Sequence, residues 1–362
     1  MTNLPNGWTI STLGAECDLY QPKTISRQKM KAEGKFEVYG ANGVIGRFDD
    51  FNHEESEVLL SCRGNCGTVN VSKPRSWING NAMVCKPKTG QLSKNYLRYF
   101  LESVNFATVI TGTAQQQITR EPLAKVEIAF PSPPDQQKIV DMLEDHLSRL
   151  DAALADVKQA KVKAAQFRRA FIHEMTTSVE GSEVMNILEI CDVYQPKTIS
   201  TKELIPDGEF PVYGANGQIG FYDKFNHEES EVTVTCRGAT CGTVNVIPAM
   251  SWITGNAMVF SPKDSRIQKG YLEYVLRGMD WTPVITGTAQ PQITRTSIKD
   301  VFINVPGPEI QNEIYMKLES ALTQVTNASI LSETIESQGA SLRRSLLNAA
   351  FTGQLTKGVA SV

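Results

Sequence analysis

The chain repeats itself, and an internal duplication restricts the possible folds more than any composition does. CDLYQPKTIS (17–26) returns as CDVYQPKTIS (191–200), VYGANGVIG (38–46) as VYGANGQIG (212–220), and FNHEESEV (51–58) as itself at 225–232. CRGNCGTVNV (62–71) returns as CRGATCGTVNV (236–246), with one residue added. SWINGNAMV (76–84) matches SWITGNAMV (251–259), and VITGTAQQQITR (109–120) matches VITGTAQPQITR (284–295). The offset is 174 residues at Cys17 and Cys191, and 175 at Ser76 and Ser251. Roughly two-thirds of positions agree over the best-matched stretch, more than a shared secondary-structure pattern would produce. A chain of 362 residues also exceeds what one core normally serves. Two copies of one module are expected.

Each copy opens with about 120 residues of short β-rich segments. Runs such as EVLLSC and GTVNV are cut by YGANG, CRGNCG and NGNA, where Gly and Asn supply turn conformations. The remainder of each copy is helical. After Pro131, Pro133 and Pro134, apolar or small residues fall at Ile139, Leu143, His146, Leu150, Ala153, Val157, Ala160, Ala164, Phe167 and Phe171, a heptad seam blemished only by His146. After Pro306 and Pro308 the seam repeats at Ile314, Leu318, Ala321, Val325, Ala328, Ser332, Ile335, Gly339, Leu342, Leu346 and Ala349. A helix of roughly 35 to 38 residues is expected in each copy.

Chain order then predicts an α+β protein with four segments: a first module over 1–134, a helix over 135–177, a second module over 178–309 and a second helix over 310–356. The link near 176–186 is too short to bring the chain back. The second helix can bury its seam only by running antiparallel to the first, so a pseudo-two-fold arrangement of two modules separated by a coiled-coil spacer is expected. A symmetric pair of readers at fixed separation suits two half-sites on duplex DNA.

Net charge argues the other way. At −3 it lacks the basic excess common in proteins that bind DNA alone, so positive charge must be local or supplied by partner subunits. The opening MTNLPNGWTI has no signal-peptide pattern, and no apolar run is long enough for a membrane span, so a cytoplasmic protein without membrane contact is expected. The odd number of cysteines, seven, without disulfide-scaffold density fits a reducing compartment.

Three local features carry a family resemblance over essentially the whole chain. SPPDQQKIV (132–140), with the weaker GPEIQNEI, resembles the entry to a spacer helix. LRRSLLNAAFTGQL (342–355), echoed by FRRAFIHEM, is similar to a C-terminal signature, and GWTISTLGAECDLY (7–20) resembles the opening of a recognition domain. All three, in this order, resemble the specificity (S) subunit of type I restriction-modification systems. The resemblance implies two target-recognition domains flanking the spacer and no catalytic activity or cofactor. It implies double-stranded DNA as ligand, two methyltransferase (M) subunits docked on the helices, and motor-nuclease (R) subunits in the full complex. The sequence contains no phosphate loop, and Ser132-Pro133-Pro134-Asp135 lacks the ends of an adenine methyltransferase motif. The departure from the family is that the two domains are near-copies, so a bipartite, near-palindromic target is expected.

Amides on adenine and guanidinium or ammonium groups on guanine are the usual base-edge readers. TGTAQQQITR therefore makes Thr111, Thr113, Gln115, Gln117 and Arg120, with Thr286, Thr288, Gln290, Gln292 and Arg295, the leading DNA-binding candidates. Its alternative is a polar turn that organises the fold. Tyr39 and Asn42, with Tyr213 and Asn216, could meet a groove, or could be a tight turn with a packed ring. Arg63 and Arg237 could approach phosphate or form internal ion pairs; Lys23 and Lys197 are phosphate candidates. Where the copies diverge, Asn65 faces Ala239-Thr240, Gln116 faces Pro291, Arg47 faces Phe221 and Asp50 faces Lys224. Trp77 and Trp252 read as core anchors, and His53 and His227 as exposed loop residues. No metal site is expected, because the Cys62/Cys66 and Cys236/Cys241 spacings differ and lack a second ligand pair. The arginine pairs 168/169 and 343/344 complement helix dipoles and could touch partners or DNA. Rival readings are a specificity subunit of a type IIB-like or other methylation-based defence system, a stand-alone nuclease, and a coiled-coil scaffold bearing β binding modules.

Overall fold

The computed structural model describes residues 4–112, 116–177, 179–287 and 290–355. It divides into two compact units, Met1–Val157 with Thr334–Val362, and Lys158–Glu333. The division passes through both long helices.

In the first unit the apolar run of Val58–Ser61 is buried on both faces, as a continuous rather than alternating pattern requires. It is a central strand of a four-stranded antiparallel sheet, ordered Cys17–Tyr20, Ala82–Pro87, Val58–Ser61, Val69–Val71. A second sheet holds Gly43–Phe48, Phe36–Gly40 and Trp77–Ile78, the last pair parallel. Its hairpin turns at Ala41-Asn42 and closes on Gly43, whose φ of +106° excludes most side chains. A two-stranded ladder pairs Thr9–Thr12 with Glu127–Phe130. The amphipathic helix Lys94–Ser103, capped by Ser93, buries Tyr96, Leu97 and Leu101 against Leu60, Met83 and Cys85. Tyr96, fully buried, donates to the Ala129 carbonyl at 2.8 Å, which satisfies the hydroxyl that burial would otherwise strand.

The second unit repeats this arrangement. Its four-stranded sheet is Cys191–Tyr194, Ala257–Pro262, Glu231–Thr235 and Val244–Ile247; its three-stranded sheet is Gly217–Tyr222, Phe210–Gly214 and Trp252–Ile253. Glu183–Asn186 pairs with Phe302–Val305, and Tyr271 of the helix Lys269–Gly278 donates to Asn304 at 3.0 Å. The α+β class and the duplicated module are thus as the sequence implies.

The long helices run Pro133–Thr177 and Pro308–Phe351, 45 and 44 residues, longer than the heptad count suggested. Proline is tolerated in a first helical turn, where its missing N–H would have no partner anyway, so the helices start on the proline runs rather than after them. Gln136 and Gln311 anchor those starts. Fully buried Gln136 accepts from Ser93 N (2.9 Å) and donates to the Gln91 (2.6 Å) and Pro131 (2.9 Å) carbonyls. Gln311 repeats this with Gln268 N (2.8 Å) and the Arg266 and Pro306 carbonyls (both 2.7 Å).

The seam needs a correction. At alternate positions it lies one residue further on: Leu147 is buried and His146 exposed, Leu154 is half-buried and Ala153 exposed, Leu322 is buried, and Ser329, Glu336 and Arg343 turn inward while Ala328, Ile335 and Leu342 turn out; Gly339 is buried as the seam implies. Phe167 is also exposed. The heptad spacing survives in a second phase that gains Leu147, Leu154 and Leu322, avoids His146, and accepts Glu336 and Arg343 in place of Ile335 and Leu342. Within the first unit the two helices run antiparallel: Leu154 lies against Gly339, Asp151 pairs with Arg343 at 2.9 Å, and Leu143 shares a core with Leu347 and Phe351. In the second unit Lys161 pairs with Glu333 at 3.1 Å, and Ile172 joins Ile314, Leu318 and Leu322.

Candidate nucleic-acid interface

Three sequence-predicted segments meet in each module: the hairpin turn, the Gly-rich CRG loop and the TGTAQ loop. In the first module Arg63 forms an antiparallel bridge with Gln117, and Ile118 N donates to the Cys62 carbonyl at 3.0 Å. Ile110–Thr111 pairs with Gln117–Ile118, so the two strands that flank residues 113–115 are held against the CRG loop. Cys66 Sγ adds a bond to the Gln116 carbonyl at 3.3 Å, and Asn70 Nδ2 reaches the Ala41 carbonyl at 3.5 Å. In the second module Arg237 bridges Gln292, Thr286 and Gln292 exchange two 2.8 Å backbone bonds, and Gly238 N donates to the Pro291 carbonyl at 3.0 Å. Thr240, in the loop lengthened by one residue, donates to the Asn216 side chain, tying the hairpin turn to this loop.

Short strand pairing and buried apolar residues fix the backbone here, while the polar side chains face solvent. Asn42, Arg63, Thr111, Arg120, Asn216, Arg237, Thr286, Gln290, Gln292 and Arg295 are exposed, and Gln117 is half-buried. Arg63 and Arg237 form no ion pair among the described residues, so their charges are free to meet an anion. Thr113, Gln115 and Thr288 lie outside the described residues.

Two candidates are corrected. Tyr39 is buried; its hydroxyl donates to Glu37 at 2.7 Å and accepts from Lys73 N at 3.2 Å, and burial pushes its pKa up. It packs the module instead of presenting an aromatic surface. Tyr213, where Pro211 replaces the glutamate, is half-buried against Ile253 and Val259. His53 and His227 are not exposed loop residues: His53 is half-buried, His227 buried, and each bonds a tyrosine hydroxyl (Tyr20, 3.0 Å; Tyr194, 3.1 Å) and the preceding asparagine (2.6 Å). Burial lowers both imidazole pKa values and keeps the rings neutral.

Lys23 and Lys197 are exposed, on the separate YQPKT segment. Their carbonyls accept from Trp77 and Trp252 Nε1 at 3.2 Å, so each tryptophan, only half-buried, pins that segment. Sequence reasoning missed Gln21 and Gln195. Each donates to the neighbouring cysteine sulfur, Cys62 or Cys236, at 2.9 Å, and so links the lysine segment to the CRG loop. The identity of YQPKTIS in both copies was the available signal. Also missed were the buried carboxylates Glu57, near Lys86 (3.4 Å) and Lys94 (3.6 Å), and Glu231, near Lys269 (3.6 Å).

Cys17, Cys62, Cys85, Cys191 and Cys236 behave as small buried hydrophobes, while Cys66 and Cys241 are half-buried. Cys17 and Cys191 are pushed up to about 12 by burial, and no group of three or more His, Cys, Asp or Glu side chains among the described residues is placed to hold a metal. No helix among them is long and apolar enough to cross a membrane.

The model of the type I restriction modification DNA specificity domain matches residues 5–162 and 179–337. A putative type I specificity subunit of Mycoplasma genitalium is 23% identical over 270 residues, 70% of each chain. A putative type I restriction enzyme specificity subunit of Haemophilus influenzae is 21% identical over 326 residues, 83% of this chain and 84% of the relative. Among solved structures, a chain from work on complex assembly and conformational transition of the type I R-M system superposes with a TM-score of 0.79 at 16% identity, covering 97% of this chain and 99% of that one. The HsdS subunit from Thermoanaerobacter tengcongensis gives 0.56 at 17% identity, covering 97% and 98%. With the domain matched twice and the same loops assembled in both copies, the chain belongs to the type I restriction-modification DNA specificity family.

Proposed function

We propose that this chain is the non-catalytic DNA reader of a type I restriction-modification complex. Segments 1–134 and 178–309 act as target-recognition domains, and 135–177 and 310–356 as the spacer on which methyltransferase subunits, two per chain, dock; motor-nuclease subunits complete the restriction complex. Thr111, Thr113, Gln115, Gln117 and Arg120, and their counterparts Thr286, Thr288, Gln290, Gln292 and Arg295, read base edges. Asn42, Asn216, Arg63 and Arg237 border that surface, and Lys23 and Lys197 contact phosphate. Phosphate contacts orient a protein on duplex DNA and base-edge contacts select the sequence, so both classes are needed at each half-site.

The observation that carries this reading is the backbone pairing, in both modules, of the Thr111/Gln117 and Thr286/Gln292 strands with each other and with the arginine-bearing loop. Backbone pairing fixes the positions of Gln117 and Arg63, and of Gln292 and Arg237, as base recognition demands. Because both copies carry the same residues there, the target is two similar half-sites around an uncontacted gap. Mapping methylated adenines in a host that carries the chain with its methyltransferase is the direct test. A near-palindromic bipartite motif is expected; two unrelated half-sites, or no methylation, would refute the proposal.

A further inference from the structure

Beside the reading loops, the second unit holds a cavity of about 310 Å³ ringed by Arg168, Arg169 and Arg277 and floored by Ile172, Gly242 and Val244. Its geometry follows from close packing. The end of the helix Lys269–Gly278 lies on the first long helix, where a Cβ on Gly278 would come within 3.1 Å of Ile172, and the Gly278 carbonyl bonds His173 at 3.2 Å. Gly242, at φ +92°, lets the loop that begins at Arg237 turn in beneath Trp281, where a Cβ would approach the Trp281 side chain to 2.9 Å. Three guanidinium groups thus converge at the base of the CRG loop. Arg168 and Arg169 form no ion pair among the described residues, although Asp280 feels the charge of Arg169.

The duplication supplies an internal control, because the same position in the first unit is electrostatically different. There Arg98 pairs with Glu102 at 3.0 Å; here the pair is reversed, Glu273 to Arg277 at 2.8 Å, so an arginine replaces a glutamate at the cavity. In the first unit Arg343, the counterpart of Arg168, is held by Asp151 at 2.9 Å; here Thr326 stands where that aspartate would be. One substitution puts an arginine on the cavity wall, and the other leaves Arg168, also on that wall, without the acidic partner its counterpart has. The apolar floor also differs between the copies, with Gly278 for Ser103 and Trp281 for Phe106, but the two charge substitutions lie on exposed or half-buried helix positions where the core does not require them.

We propose that this arginine cavity is a phosphodiester site, holding the duplex backbone beside the half-site read by the second module, and that the first module lacks it. The inference rests on the DNA-reading function proposed above. A guanidinium fork matches two phosphate oxygens, and each neutralised phosphate steepens the salt dependence of binding by about 0.9 in log units. The second module therefore grips DNA with a steeper salt dependence than the first.

The test is anisotropy of a fluorescein-labelled duplex carrying the mapped target, titrated with the full chain across a salt series. E273R/R277E restores the charge order of the first unit without breaking the i,i+4 pair, and T326D, at an exposed helix position, supplies the missing carboxylate. Each should lower the slope of log K against log salt by about one and weaken low-salt binding several-fold, with thermal unfolding unchanged. R169A should act in the same direction. Unchanged slopes in all three, with the parent chain binding normally, overturn this site alone. Unchanged slopes with lost co-purification of the methyltransferase reassign the cavity to a protein partner and overturn it as well. Failure of the parent chain to bind any duplex, even with methyltransferase present, overturns the DNA-reading function itself.

Discussion

Replacing Gln311 by leucine tests how the module is fastened to its helix. The side chain is fully buried and makes three bonds, accepting from Gln268 N and donating to the Arg266 and Pro306 carbonyls. Leucine fills a similar volume and makes none of them. Arg266 is exposed, so its carbonyl can turn to water, whereas the Pro306 bond is buried. Two stranded groups at about 1–3 kcal/mol each give a loss of about 2–6 kcal/mol, a large share of a domain's total stability. Trp281, buried and bonded to the Leu276 carbonyl at 3.1 Å, is a local fluorescence probe of this unit, because its position in the first unit is Phe106. With a urea slope of about 2 kcal/mol/M, the midpoint should fall by about 1–3 M. Gln311→Glu should be worse at neutral pH, since a carboxylate can accept from Gln268 but repels both carbonyls; part of the loss should return on acidification. A midpoint within about 0.3 M of the parent for Gln311→Leu would refute the claim that this amide carries the junction.

Other outcomes follow from the same geometry. Burial lowers the His53 and His227 pKa values, so below about pH 6.5 the unfolded chain takes up protons that the folded chain refuses. Stability from these groups is therefore complete above that pH and falls as pH drops toward the lowered folded values; urea midpoints of the parent should drop more on acidification than those of H53Q/H227Q. Arg237→Ala with Gln292→Ala should leave the fold intact and abolish methylation at one half-site while sparing the other, as read by sequencing of modified adenines. Gly242→Val places a branched side chain at φ +92° against Trp281 and should destabilise the second unit by about 2–4 kcal/mol in thermal or urea unfolding. Leu318→Ala, at a fully buried position, should cost about 2–5 kcal/mol by the same measurement.

The duplication, the α+β module, the two long helices and the TGTAQ and CRG segments were all legible in the linear chain. Repeats, glycine-asparagine turns and heptads are local patterns, and local patterns determine local structure. The seam phase was not legible: Leu342 and Arg343 both suit a helix face, and only packing decides that Leu342 turns outward. The choice between the two readings of Tyr39 was not legible, and His53 was misread, for the same reason: their burial depends on Lys73 and Tyr20, brought to them by strand pairing rather than by sequence neighbourhood. Gln136 sits in a recognisable motif, but its partners are the Gln91 and Pro131 carbonyls and Ser93 N, and a motif does not disclose its partners. The arginine cavity is the clearest case. The reversal of Arg98/Glu102 into Glu273/Arg277 is visible in the aligned repeats, yet it has meaning only once the fold carries Arg277 to Arg168 and Arg169. Sequence alone determined which residues this protein has to work with; tertiary structure decided which of them share a surface, because desolvation and charge act through space and not along the chain.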